Sequence, residues 1–381
     1  MASAGRRGYR GAMIVYPAEW QRHKERLFAA LARADGGGRR LWVVPVSLRG
    51  FLETRARARE ALRVAKRRPR SALGRALKFA LLRGQYNWAR RHFARHPGRV
   101  AVAWNGMTGT RRVFLDGARD AGAGTLHVEL APFPGRITLD PAGVNAAAGL
   151  PRDPAFYQGW AAADPARQGE GWRRLGAGLR ARAPRRDRRA PAAPPPEGRF
   201  LFVPLQVPND SQITLFGGWA GSVAGMIAAL AETAPALPEG WHLRLKEHPS
   251  ARVSLAREIA AAAGRAPGRI VADNATDSFA LLAACEGVVT INSSMGLQGF
   301  FFDKPVIALG EAFWALPGLA QQAAGPQALA RLLAAPEALG FDAALRAAFM
   351  NYLDRVYYPA CDPAPEERVL TARLADARAG R

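Results

Sequence analysis

The residues of this 381-residue chain whose types could do chemistry cluster between Trp241 and Leu319. In W-H-L-R-L-K-E-H-P, Leu243 and Leu245 alternate with polar residues, a strand pattern ending on Lys246, His248 and Pro249. A His-Pro pair at a strand end fixes the ring beside a sheet edge, where its N–H can donate to a phosphate. Lys246 adds a positive charge on the same strand. The competing explanation is a satisfied structural histidine. Further on, G-V-V-T-I-N-S-S-M-G-L-Q reads as a buried strand that delivers Asn292, Ser293 and Ser294 to a turn at Gly296 and then a helix. Hydroxyls and free backbone N–H groups at a helix start suit an anion. Simple N-capping by either serine would explain the same residues. K-P-V-I-A-L-G-E then supplies another short strand. These strand ends would meet along one edge of a parallel sheet, where open α/β folds bind ligands. The edge reads as a nucleotide-sugar phosphate site.

Absent motifs narrow the ligand. The chain has no G-x-x-x-x-G-K-[ST] phosphate loop, no H-E-x-x-H and no C-x-x-C, and no metal site is expected. It also has no D-x-D, the pattern that grips a nucleoside diphosphate through a metal. A nucleoside monophosphate sugar needs less neutralisation, and a histidine, a lysine and a helix terminus would suffice.

The elements that position these residues follow a β-α-β rhythm twice. Ala12 to Pro17 and Leu41 to Val46 read as strands around a helix from about Glu19 to Arg33. A very basic helical region spans Phe51 to Arg95, broken near Pro69. Strands follow at Val100 to Trp104 and at Leu126 to Leu130, which places Glu129 near a strand end. Residues 180–198, rich in arginine and proline, read as a linker. A second series begins at Phe200. The expected domains are 1–179, the linker, 199–340, and C-terminal helices over 341–381 that would pack back on the first domain.

Lys and Arg number 54 against 31 Asp and Glu, a net charge of +23. That charge attracts polyanions, although arginine-rich usage on solvated faces would also produce it. The basic segment 55–70 and the apolar-basic segment 73–95 suit an anionic membrane surface, or a helix packed on its own domain. Nucleic acid is supported by charge alone and is not expected as a partner. The first residues carry no apolar h-region and no stretch approaches ~18 apolar residues, so neither a secretory signal nor a membrane span is expected. Two cysteines, Cys285 and Cys361, suit a reducing compartment.

Several runs together carry a resemblance: F-V-P-L-Q-V-P-N-D-S-Q-I at 202–213, K-E-H-P at 246–249, T-I-N-S-S-M-G-L-Q-G at 290–299 and K-P-V-I-A-L-G-E-A-F-W-A-L-P-G-L at 304–319. In the first half W-N-G at 104–106, V-E-L at 128–130 and I-T-L-D-P-A-G-V-N at 137–145 agree. The chain resembles the bacterial capsule polysaccharide biosynthesis and export proteins, which include β-Kdo transferases. The resemblance implies a GT-B-like α/β architecture, two Rossmann-like parallel-sheet domains with a cleft between them. CMP-Kdo would be the donor, with no separate cofactor. His248, Ser293 and Ser294 would hold its phosphate or ribose, with Gln206, Asp210, Ser211 and Gln212 on the facing edge.

The family's catalytic carboxylate follows a strand of the first domain, and Glu129 stands at that place. It would be the nucleophile of a retaining displacement or a base for the acceptor hydroxyl, with a structural ion pair as the alternative. The family's Gly is Ala131 here, and Asp140 and Asp116 are reserve candidates. Arg136, Lys246 or Arg111 would pair with the carboxylate of Kdo. The implied partners are a nucleotide sugar, a lipid-linked saccharide or phospholipid acceptor, an anionic membrane surface and other capsule assembly proteins. The implied location is cytoplasmic, peripheral at the inner membrane. The rival is a non-catalytic GT-B-like protein that binds a capsule precursor for export.

Overall fold

A computed structural model describes residues 13–180, 198–362 and 364–380. The expected linker 180–198 falls almost wholly outside the described residues. The chain divides into two units, one built from residues up to Ala131, Gly135–Gly149 and Tyr358 onward, the other from Pro132–Pro134 and Leu150–Tyr357.

The first unit holds a five-stranded sheet of β1 (Ile14–Pro17), β2 (Gly38–Leu41), β3 (Val100–Trp104), β4 (Gly124–Leu130) and β5 (Ile137–Asp140). Their order is β2-β1-β3-β4-β5, with only β5 antiparallel. Strand residues alternate between two cores, as a sheet covered on both faces requires. Ile14, Tyr16, Val100 and Val102 pack with Phe28 and Leu31 of helix Arg22–Ala34 and with Leu370 and Leu374 of helix Glu367–Ala379. Val15, Ala101 and Ala103 face Ala89 and Phe93 of helix Ala72–Ala94 and Phe114 of helix Gly109–Asp120.

The strand expected over Leu41 to Val46 is displaced. The parallel register pairs Ile14 with Gly38 and Pro17 with Leu41, so the ladder ends where β1 ends. The edge strand is the polar G-R-R-L, and the apolar run after it is a loop that leaves Trp42, Val43 and Val46 exposed. Charge on an edge strand discourages pairing with another chain.

The second unit holds six parallel strands: β6 (Arg199–Pro204), β7 (Trp241–Lys246), β8 (Ile270–Ala272), β9 (Gly287–Thr290), β10 (Val306–Ala308) and β11 (Gln321–Gln322). The order is β11-β10-β9-β6-β7-β8. Leu201, Val203, Leu243, Leu245, Val289 and Ile307 share one core with Ile227 and Leu230 of helix Val223–Thr233. Each such side chain contributes roughly 1.5–3 kcal/mol on full burial.

The division of the chain differs from the boundaries expected at 179 and 341. Residues 150–179 belong to the second unit because helix Pro154–Ala162 packs on helix Ala343–Tyr352. Tyr157 meets the rings of Phe349 and Tyr352 edge-on at 4.9 and 5.3 Å, and Trp160 meets Tyr352 at 5.3 Å. The C-terminal segment is therefore split, with 341–357 in the second unit and the residues from Tyr358 in the first.

Candidate functional site

In the second unit the chain winds from β6 to β7 to β8, then returns to the other side of β6 for β9, β10 and β11. The winding reverses between β6 and β9, the position at which doubly wound sheets bind ligands beyond the carboxyl ends of their strands. Gln206 follows β6, Asn292 follows β9, and they meet there. Gln206 Nε2 donates to Asn292 Oδ1 at 3.0 Å, and the Asn292 backbone N donates to Gln206 Oε1 at 3.2 Å. Asn292 Nδ2 donates to the carbonyls of Gln212 and Phe216 at 3.0 Å and of Glu311 at 3.2 Å. This amide ties β6, β9, the loop after β10 and helix Ser211–Phe216 into one rim. It shapes the site and spends its own polar atoms doing so.

Around that rim, the capping explanation holds for Ser293. Ser293 is buried and caps helix Ser294–Gly299, its Oγ accepting from Met295 N at 3.2 Å. Ser294 is exposed on the first turn. Asp210 caps helix Ser211–Phe216 by accepting from Gln212 N at 2.9 Å. Gly296 is required by close approach, since a Cβ there would lie 2.5 Å from two ring carbons of the buried Trp314. After the neighbouring strand β7, half-buried His248 accepts from the backbone N of Ser250 on Nδ1 at 3.1 Å. The neutral ring then carries its proton on Nε2, the tautomer that can donate to a phosphate.

Lys246 has an internal task. Its Nζ donates to the carbonyls of Asn274 and Thr276 at 2.9 and 2.7 Å, fastening the loop after β8. Burial pulls its pKa below the ordinary lysine value, against the nearby Asp273 and Asp277.

The first unit reverses its winding between β1 and β3. Glu19 follows β1 and Asn105 follows β3. Asn105 adopts φ +61°, and its Nδ2 donates to Glu129 Oε2 at 3.0 Å, while Leu130 N donates to Glu129 Oε1 at 3.1 Å. The half-buried Glu129 carboxylate is thus aimed and held. Gly106 must lack a side chain here, since its φ is +77° and a Cβ would lie 2.4 Å from Leu115 and 2.6 Å from His127. Lys24 stands over the Trp104 ring at 4.3 Å and 3.5 Å from Glu19, which Arg111 also engages. Burial lowers the pKa of Lys24, with Glu19 and Glu129 opposing the shift and Arg111 adding to it.

Glu19, Lys24 and Asn105 are the residues that sequence reasoning missed. The signal was the W-N-G turn at the end of a buried strand, whose importance depends on which strands are neighbours.

The other first-unit candidates do structural work. Asp140 is buried and accepts from the backbone N of Ala142, Gly143 and Gly149 at 2.7, 3.0 and 2.8 Å. Asp116 is buried among Arg112 and Arg119 on helix Gly109–Asp120, with burial raising its pKa. Arg136 donates to the Tyr358 carbonyl at 3.0 Å and pairs through its backbone with Ala360. A role for Asp140 or Asp116 in proton or sugar transfer, and for Arg136 in gripping a substrate carboxylate, competes with these contacts.

Two doubly wound sheets, one in the order of Rossmann-type folds and one in the order of flavodoxin-like folds, define a GT-B-like α/β protein. Its fold is similar to that of a β-Kdo 2,7 transferase, KpsC from Thermosulfurimonas dismutans, at a TM-score of 0.52 and 13% identity over 96% of this chain and 99% of that one. The family model for capsule polysaccharide biosynthesis protein matches residues 157–354, and the chain belongs to that family. Among curated relatives, Protein FixF of Sinorhizobium fredii is 30% identical over 261 residues, 68% of this chain and 60% of FixF. The capsule polysaccharide modification protein LipB of Neisseria meningitidis serogroup A is 32% identical over 130 residues, 33% of this chain and 31% of LipB. The chain thus spans less than two thirds of the length of these relatives. Among the described residues, no helix is long and apolar enough to cross a membrane.

Proposed function

We propose that this chain is a CMP-sugar-dependent glycosyltransferase of capsule polysaccharide biosynthesis, transferring Kdo from CMP-Kdo to a lipid-linked acceptor at an anionic membrane surface. The observation that carries the reading is the rim at the β6/β9 reversal, where Gln206 and Asn292 lock together beside exposed Ser294, one strand from His248. In this reading His248 Nε2 and Ser294 hold the donor phosphate without a divalent cation, and Asn292, Ser293 and Asp210 keep the rim in shape. Glu129 acts on the sugar, as nucleophile at the anomeric carbon or as base for the acceptor hydroxyl. Asn105 orients Glu129 and Lys24 balances its charge. Arg136 and Lys246 are engaged internally and Arg111 pairs with Glu19, so whichever of the three meets the Kdo carboxylate must exchange a partner it already has.

The test is release of CMP from CMP-Kdo in the presence of lyso-phosphatidylglycerol as acceptor. Wild type should turn over. Glu129→Gln should lose at least about a hundredfold in rate while CMP binding persists. A trapped sugar adduct on Glu129, seen by mass spectrometry of quenched enzyme, would select the nucleophile role. Tight CMP-Kdo binding with no turnover would select the non-catalytic carrier instead.

A further inference from the structure

Helix Ala72–Ala94 is 23 residues long, yet its buried residues begin only at Leu82. The three turns before that point carry Leu73, Leu77 and Leu81, exposed to 71%, 63% and 46%. Their spacing of four places them in one stripe along the helix. Gly84 continues the same stripe, and there the loop after β2 takes over the surface. Ser47 N donates to the Gly84 carbonyl at 2.9 Å, and Val46, itself 56% exposed, lies against Gly84. The result is a continuous apolar ridge of Leu73, Leu77, Leu81 and Val46 with no covering segment among the described residues.

The flank of that ridge is basic throughout. From Ala61 to Leu115 the chain has fourteen lysines and arginines and no acidic residue. The turn before the helix exposes Lys66, Arg67, Arg68 and Arg70. It is tied down at the helix start, where Lys78 donates to the Arg67 carbonyl, Arg75 to the Arg70 carbonyl and Gly74 N to Ser71 Oγ. The charges are therefore held beside the leucines. A second copy of this chain would bring an equally basic flank to the contact and be repelled. An anionic bilayer offers both the negative surface and the hydrocarbon.

We infer that the first three turns of helix Ala72–Ala94, with Val46, form a docking face that seats the exposed leucines in a bilayer rich in anionic lipid. This deepens the membrane part of the proposed function and does not depend on its chemistry. Charge alone gives binding that salt abolishes, because screening removes attraction beyond a Debye length. Leucine insertion leaves a salt-resistant remainder.

The experiment is sedimentation of the full chain with phosphatidylglycerol-containing vesicles and with phosphatidylcholine vesicles, at low and high salt. Wild type should bind the anionic vesicles, retain part of that binding in high salt, and bind neutral vesicles weakly. Each of Leu73→Ser, Leu77→Ser and Leu81→Ser should lower partitioning by about tenfold. Changing Lys66, Arg67, Arg68 and Arg70 together to Gln should remove the salt-sensitive part only. The serine changes are at exposed positions, and an unchanged melting temperature and CMP affinity would show that they leave the fold and donor site intact. Failure of CMP-Kdo turnover would leave the vesicle result standing. The inference is overturned if the triple serine variant binds vesicles like wild type, if wild-type binding vanishes in high salt, or if neutral vesicles bind equally well. It is also overturned if the triple variant abolishes a concentration-dependent dimer while vesicle binding persists.

Discussion

Asn292 carries more of the second unit's site than either serine, because five hydrogen bonds converge on its backbone N and its side chain. Asn292→Ala would take the acceptor from Gln206 Nε2 and the side-chain donor from the Gln212, Phe216 and Glu311 carbonyls, of which Phe216 keeps a bond from Glu311 N at 3.0 Å. Each unsatisfied group costs roughly 1–3 kcal/mol, so the variant should unfold at visibly lower urea and lose CMP affinity together. His248→Ala is a different kind of change. The ring is half-buried, and its loss should weaken CMP binding by about tenfold with little effect on the urea midpoint. Isothermal titration with CMP beside urea melts separates the two, and an unchanged CMP affinity in His248→Ala would remove it from the donor site. At Glu129 the sequence placed a carboxylate near a strand end. The Asn105 amide that aims it came from a strand 24 residues earlier, a pairing no local pattern reveals.

At the scale of elements, β4 couples the candidate carboxylate to a buried histidine two residues before it. His127 donates from Nδ1 to the Asn105 carbonyl at 2.9 Å, and its Nε2 faces Arg119 at 3.3 Å. Burial pushes its pKa down to about 4, with Arg119 adding to the shift and the Asn105 contact and Asp140 opposing it. On helix Ala72–Ala94, burial and then His96 and Arg99 lower His92 to about 4 as well. Both values lie below the ordinary histidine value of about 6.5, so the unfolded chain takes up protons that the folded unit refuses. Stability is therefore complete above pH about 6.5 and is lost as pH falls towards 4, by roughly 3 kcal/mol per histidine. Urea melts across that range should show the loss, and His127→Gln should flatten it. A pH slope unaltered by that substitution would contradict the assignment. The apolar run after β2 shows the same dependence on context. It is apolar and valine-rich like a strand, but β1 stops at Pro17 and leaves it nothing to pair with.

At the scale of the whole molecule, the chain leaves the first unit at Gly149 and returns to it at Tyr358. Helix Glu367–Ala379 completes a core that begins at Ile14, through Leu370, Leu374 and Ala377. Arg378 clamps the Asp35 carboxylate with two contacts at 2.6 and 2.7 Å, and donates to the Gly98 carbonyl at 3.0 Å. Ending the chain after Tyr357 should destabilise the first unit, exposing its core, while CMP binding by the second unit survives. Calorimetry of the truncated chain should show one transition lowered and the other unmoved. A single unshifted transition would mean that the C-terminal helix contributes little.

Read alone, the sequence determined the class of both units and most strand positions. The continuous apolar run Val100 to Trp104 suits a central parallel strand buried on both faces, the alternating run Trp241 to Lys246 is a strand pattern as well, and the strand ends carried Asn105, Glu129, His248 and Asn292. The family likeness, too, was legible in short linear motifs. Tertiary structure alone decided which of these polar residues are spent. Lys246 and Arg136 read as free cations, yet each donates to carbonyls from remote loops, and Asp140 gathers three backbone amides. Those partners lie up to 222 residues away in sequence. Strand order, which sets where each sheet reverses its winding, follows from pairings between distant segments. That order made Glu19, Lys24 and Asn105 neighbours of Glu129, and a strand pattern encodes its own burial period but not the identity of the strand beside it.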